Sequence, residues 1–170
     1  MSELAPLVVL IGPPGAGKSV LGRLLAKHLR SSFVDTDRRI VAQHGPIAQI
    51  FEEHGEEWFR AAERVEVAKA LGERAVVALG GGAVLNKDTQ ADLADARVVL
   101  VTVSPAAVEQ RIKGATRPLI REGLDSWNRL VEQRMSVYQR LATKVVDSSD
   151  RTAASLASEL AEWVQKEEQA

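Results

Sequence analysis

Eight consecutive residues, Gly12-Pro-Pro-Gly-Ala-Gly-Lys-Ser19, satisfy the pattern G-x-x-x-x-G-K-S. Glycines at these spacings let a backbone wrap closely around phosphate groups and turn successive N–H groups toward their charge. Gly15, Ala16, Gly17, Lys18, Ser19 and Val20 are therefore the expected nucleotide cradle, Val20 through its backbone. Lys18 reaches for β/γ-phosphate oxygens, and Ser19 supplies a hydroxyl oxygen suited to Mg²⁺. A phosphate loop leaves the acceptor open, because the same loop serves switches, motors and kinases. The guanine-nucleotide switch class is disfavoured: no D-x-x-G occurs, and Asn86-Lys-Asp-Thr89 lacks the final Asp of N-K-x-D.

Further along, Asp35-Thr-Asp37 presents two carboxylates between a short apolar pair and a helix-like segment. Asp35 is suited to holding Mg²⁺ through water and Asp37 to orienting or deprotonating an acceptor hydroxyl; a helix N-cap with a solvated neighbour explains the pair equally well. Gly80-Gly81-Gly82 follows an aliphatic run, so it reads either as a backbone surface for a small ligand or as a plain turn. Arg60, beside Trp58 and Phe59, suits a carboxylate, although a single arginine is also a common solvated residue. The charged stretch 113–123, Lys-Gly-Ala-Thr-Arg-Pro-Leu-Ile-Arg-Glu-Gly, reads as a surface loop or a mobile lid.

These residues need a frame that brings them together. Leu7–Ile11, Ala75–Leu79 and Val98–Val103 read as strands buried on both faces, with shorter strands at Phe33-Val34 and Lys144–Val146. Between them, 19–29, 58–71, 125–141 and 152–165 carry apolar residues at helical spacing. Alternating strands and helices predict an α/β domain with a central parallel sheet of about five strands. One domain over 1–170 is expected from 170 residues with 45% apolar side chains and no cysteine, since a chain of this size buries roughly 70% of its unfolded surface. With 22 basic and 23 acidic residues the net charge is −1, which argues against nucleic-acid binding. No apolar run approaches the ~20 residues of a membrane span, and Met-Ser-Glu-Leu-Ala-Pro does not read as a signal peptide, so the expected location is the cytoplasm.

Taken in order, Gly12 to Ser19, Asp35-Thr-Asp37, Gly55 with Phe59-Arg60, Gly80 to Val84, Arg117-Pro-Leu119 and Arg134-Met-Ser-Val-Tyr138 resemble the shikimate kinase family over about residues 7–165. The resemblance implies a P-loop three-layer sandwich with sheet order 2-3-1-4-5, helices on both faces, a lid at about 113–123 and a shikimate-binding region at about 35–63. It implies phosphorylation of the 3-hydroxyl of shikimate with Mg²⁺ and ATP, a step toward chorismate and the aromatic amino acids. By position, Asp37, Arg60, Gly80, Gly81, Gly82 and Arg134 resemble the shikimate site, with the two arginines meeting its carboxylate. Lys18, Asp37 and Arg117 resemble the catalytic set, Arg117 as the lid arginine. Arg111 and Arg151 take the places of adenine-side contacts. The resemblance favours Arg134 over Arg140, because the family's arginine stands four residues before the tyrosine on one helical face, as Arg134 stands before Tyr138. Two departures stand out: the Arg111–Arg117 interval is short for the family, and Val20 replaces a commoner Thr. Both ligand sites falling in one chain implies a monomer. The rivals are a kinase of another polyol acid, such as gluconate, and an inactive nucleotide-binding protein.

Overall fold

The computed structural model describes residues 6–112 and 123–170. Its elements run β1 (Val8–Ile11), α1 (Lys18–His28), β2 (Ser32–Asp35), α2 (Thr36–His44), α3 (Ile47–His54), α4 (Glu56–Leu71) and β3 (Ala75–Ala78). A short 3-10 turn (Ala83–Leu85) leads to α5 (Lys87–Asp92), β4 (Val98–Thr102), α6 (Pro105–Ile112), α7 (Leu124–Leu141), β5 (Lys144–Asp147) and α8 (Ala153–Gln169). All strand pairings are parallel and the order is β2-β3-β1-β4-β5, as the resemblance implied.

The aliphatic runs are strands because each buries both faces. In β1, Val8 and Leu10 enter a core shared with Leu21 and Leu25 of α1 and Leu156 and Leu160 of α8. Val9 and Ile11 point the other way, toward Val67 and Ala70 of α4, Leu93 and Tyr138. This alternation places a helical layer on each side of the sheet, since successive strand side chains point to opposite faces. A third, smaller cluster of Ile40, Ile50 and Phe59 binds α2, α3 and α4 into a lobe beside β2.

The helices α3 and α5 were not apparent from periodicity. α3 is only 8 residues long and α5 only 6, too short for a 3.6-residue pattern to show. Helix α4 starts earlier than the pattern, at Glu56, because Gly55 at φ 86° turns the chain directly out of α3.

Parallel strands all end at one edge. The phosphate loop follows β1, Asp35 ends β2 and Asp37 follows it, the triple glycine follows β3, and Ser148 follows β5. Helix α7 serves both layers there: Trp127 packs in the core of α1 and α8, and Tyr138 in the core of α4. The expected lid lies outside the described residues except for Gly123, whose φ of 95° begins α7.

Candidate active site

The phosphate loop owes its path to its glycines. Gly12 has φ 145° and packs so tightly against the Val101 carbonyl that a side chain there would collide with backbone. Gly17, at φ 89° and ψ 25°, is the left-handed N-cap of α1 and leaves the first turn without a side-chain cap. Its N–H groups and the helix dipole are thus available to an anion. The loop's carbonyls are held by side-chain donors. Lys18 Nζ donates to Gly12 O at 2.6 Å and Pro13 O at 3.0 Å, Trp127 Nε1 to Pro14 O at 2.7 Å, and Arg111 Nη1 to Gly15 O at 2.6 Å. Ala16 is buried inside the loop, whereas the Val20 side chain is 54% exposed.

Asp35 does two jobs. Its Oδ1 accepts from Arg38 N at 3.2 Å and caps α2, while its Oδ2 accepts from Ser19 Oγ at 2.5 Å. The N-cap and the link to the phosphate loop are therefore properties of one residue. Asp37 lies in the first turn of α2 with Oδ1 buried and unpartnered. Burial, then the neighbouring Asp35, pushes its carboxyl above the usual range, against the opposing pull of Lys18 and Arg60.

The triple glycine is the surface on which these groups converge. A methyl group on Gly80 would stand 2.5 Å from Asp37 Oδ1, one on Gly81 3.2 Å from Arg134 Nη1, and one on Gly82 2.6 Å from Arg60 Nη2. Three glycines give three side chains access to the same strip of backbone. Tyr138 Oη donates to Gly81 O at 2.7 Å and holds the strip from behind. Burial also pushes the Tyr138 hydroxyl upward, which keeps it a neutral donor.

Of the two arginines, Arg60 is tied to Glu63 at 2.8 Å and more loosely to Glu56 at 3.6 Å. Glu63 is 4% exposed, and its carboxyl is pushed up by burial while Arg60 draws it back down. Arg134 is 5% exposed with Nη1 lacking a partner. Among the described residues, three buried side-chain polar atoms lack a hydrogen bond; Asp37 Oδ1 and Arg134 Nη1 are two of them, and Arg23 Nη2 is the third. An unpaired buried polar group costs roughly 1–3 kcal/mol, so two of them facing adjacent glycines mark a place for a polar ligand. Arg140, by contrast, faces outward and donates to Gln90 Oε1 at 2.8 Å. The two arginines thus differ in burial.

The remaining predicted residues divide. Arg111 links the phosphate loop to the segment after β5, donating also to Ser148 O at 2.7 Å. Arg151 turns along α8, donating to Glu159 Oε1 at 3.1 Å and Ser155 Oγ at 2.9 Å. Arg117 lies outside the described residues. Sequence reasoning assigned no part to Trp127, Glu63 or Tyr138. For Trp127 and Tyr138 the signal was spacing: with Arg134 they stand at i, i+7 and i+11, one face of a helix.

A parallel sheet of this order, with a phosphate loop after its middle strand and Asp37, Arg60 and Arg134 gathered at the triple glycine on the same edge, defines a P-loop kinase fold. A family model for shikimate kinase matches residues 14–165. The shikimate kinase of Thermobifida fusca (strain YX) is 46% identical over 169 residues, covering 95% of this chain and 94% of that protein. That of Streptomyces coelicolor is 44% identical over 155 residues, covering 87% and 89%. The structure of the Acinetobacter baumannii shikimate kinase in complex with shikimate superposes with a TM-score of 0.87 at 29% identity, covering 98% of this chain and 96% of that one. The Aquifex aeolicus enzyme gives 0.78 at 28% identity, covering 94% and 95%. The chain belongs to the shikimate kinase family.

Proposed function

We propose that Asp37, Arg60, Arg134 and the backbone of Gly80 to Gly82 hold shikimate while the loop Gly12–Ser19 presents ATP. Phosphorylation of shikimate is the activity of the family to which the chain belongs. One observation carries the assignment of residues: a buried unpartnered acceptor, Asp37 Oδ1, and a buried unpartnered donor, Arg134 Nη1, face neighbouring glycines. A hydroxyl satisfies the first and a carboxylate the second, and shikimate carries both groups. Arg60, steadied by Glu63, supplies the second fork for the carboxylate.

In the transfer, the 3-hydroxyl oxygen of shikimate forms a bond to the γ-phosphorus of ATP. The bond from that phosphorus to the β,γ-bridging oxygen breaks, ADP departs with the electron pair, and the hydroxyl proton passes to Asp37. The raised pKa of Asp37 suits it to take that proton. Lys18 and the N–H groups at the head of α1 stabilise the negative charge on the moving phosphoryl group. We assign Arg117 to the same task, and Arg111 to the adenine side, where it already bridges Gly15 and Ser148. Arg151 and the backbone of Val20 complete the proposed ATP contacts.

Ser19 and Asp35 fit a Mg²⁺ site: both are hard oxygen donors, they are 2.5 Å apart, and they stand at the head of α1 beside the phosphate loop. Ser19 would ligate directly and Asp35 through water. Bound there with ATP, the ion would offset charge on the β- and γ-phosphates.

We further propose a monomeric, cytoplasmic protein that acts on these two substrates without nucleic acid. No helix among the described residues is long and apolar enough to cross a membrane. Trp163, the aromatic on α8, is partly buried against the core, with Lys144 Nζ 5.7 Å from its ring centroid. The deciding experiment is coupled ADP release with shikimate, with gluconate and with no acceptor. Release that depends on shikimate is expected. Release only with gluconate, or at an equal rate with no acceptor, overturns the reading.

A further inference from the structure

Helix α7 buries three side chains, Trp127, Arg134 and Tyr138, and each meets a ligand-binding loop. Trp127 Nε1 donates to Pro14 O of the phosphate loop, Arg134 Nη1 is aimed beside Gly81, and Tyr138 Oη donates to Gly81 O. The two loops also meet: a methyl group on Gly81 would stand 3.1 Å from Pro14 Cδ. One straight helical face therefore grips the donor loop at one end and the acceptor surface at the other. We propose that Trp127 is a positioning residue, whose indole N–H fixes the phosphate loop on α7 at a set distance from Arg134 and so sets the donor in register with the acceptor.

The chemistry of the loop favours this role. Its carbonyls at Gly12 and Pro13 are held by Lys18, a residue whose ammonium is needed by the phosphates once ATP is bound. The ties to Pro14 from α7 and to Gly15 from Arg111 draw on no group that must contact the transferred phosphoryl. Of these, only the Trp127 tie comes from the helix that carries Arg134. Trp127 is 1% exposed, so no water competes for its N–H. Pro13 and Pro14 have no N–H of their own, which leaves the loop dependent on what its carbonyls accept.

This inference rests on the reading that Arg134 holds shikimate and the loop holds ATP. Transfer to shikimate by the unsubstituted full chain, and weakened shikimate binding in Arg134→Lys, check that reading separately. Trp127 is then replaced by phenylalanine and, in a second variant, by 3-benzothienylalanine, which keeps the bicyclic shape without the N–H. The measurements are the single-turnover transfer rate and the Kd of each substrate alone. A loosened register should lower the transfer rate roughly 10- to 100-fold in both variants, while each Kd stays within about threefold because each site keeps its own contacts. A purely structural role would lower the melting temperature and leave the rate of the folded protein intact. A normal rate in the benzothienyl protein overturns the proposal, whether or not the phenylalanine variant folds. So does a rate loss matched by an equal loss of ATP affinity, which would make Trp127 part of the nucleotide site alone.

Discussion

Asp37 and Gly80 are neighbours that tolerate nothing between them, since a methyl group on Gly80 would stand 2.5 Å from Asp37 Oδ1. The carboxylate comes from the first turn of α2 and the glycine from the end of β3, which pairs with β2 in register Asp35↔Ala78. Strand pairing thus delivers the proposed base to the proposed acceptor surface.

Gly80→Ala should displace Asp37 and fill the space of the acceptor hydroxyl. We expect kcat/KM for shikimate to fall by roughly 10²-fold, as misplacement by about 1 Å commonly does. The ATP Kd should be unchanged. Steady-state kinetics and nucleotide titration check this, and near-normal turnover would show that Asp37 acts from another position.

The two aspartates should separate by substitution. Asp37→Asn keeps size and hydrogen-bonding capacity but loses the proton acceptor, so kcat should fall by about 10²- to 10⁴-fold with an unaltered Mg²⁺ requirement. Asp35→Asn weakens the contact with Ser19 and should chiefly raise the Mg²⁺ concentration needed for half-maximal rate. Rate against Mg²⁺ for both variants tests the division of labour; reversed behaviour would exchange their roles.

The arginines should be intolerant of lysine, which keeps the charge but not the planar fork. In Arg60→Lys and Arg134→Lys the shikimate KM should rise by at least about tenfold, with a much smaller change for ATP. Arg140→Lys is the control, because that residue is tied to Gln90 on the outer face. A shikimate defect confined to the control would move the carboxylate contact to Arg140.

The burial that raises the Asp37 pKa should also be visible as pH-dependent stability. A carboxyl whose folded pKa is raised above its ordinary 3.8 holds its proton more tightly when folded. Its favourable contribution is complete below the unfolded value and is lost as pH rises through the folded one. Asp37→Asn should therefore melt at a higher temperature than the parent protein at neutral pH. The difference should shrink as the pH is lowered through the folded pKa toward 3.8. Melting curves across that range test it, and a variant that is less stable at neutral pH would contradict the assigned strain.

Much of this protein was legible in its chain. The strands were visible because a parallel sheet covered on both faces demands unbroken aliphatic runs, as in Val8–Ile11 and Val98–Thr102. The phosphate loop was visible because its chemistry is local: glycine torsions, a lysine and a serine within one turn of each other. Resemblance to the family carried the sheet order, and with it the expectation that Asp37, Arg60, Gly80–Gly82 and Arg134 share one site. Packing alone decided that Arg134 is buried while Arg140 is not, that Asp35, besides its local cap on α2, holds Ser19, and that Trp127 grips the phosphate loop. These are contacts between residues as far apart as 113 positions. Composition and spacing act along the chain, whereas a buried charge or a shared carbonyl depends on which elements lie against each other across the sheet edge.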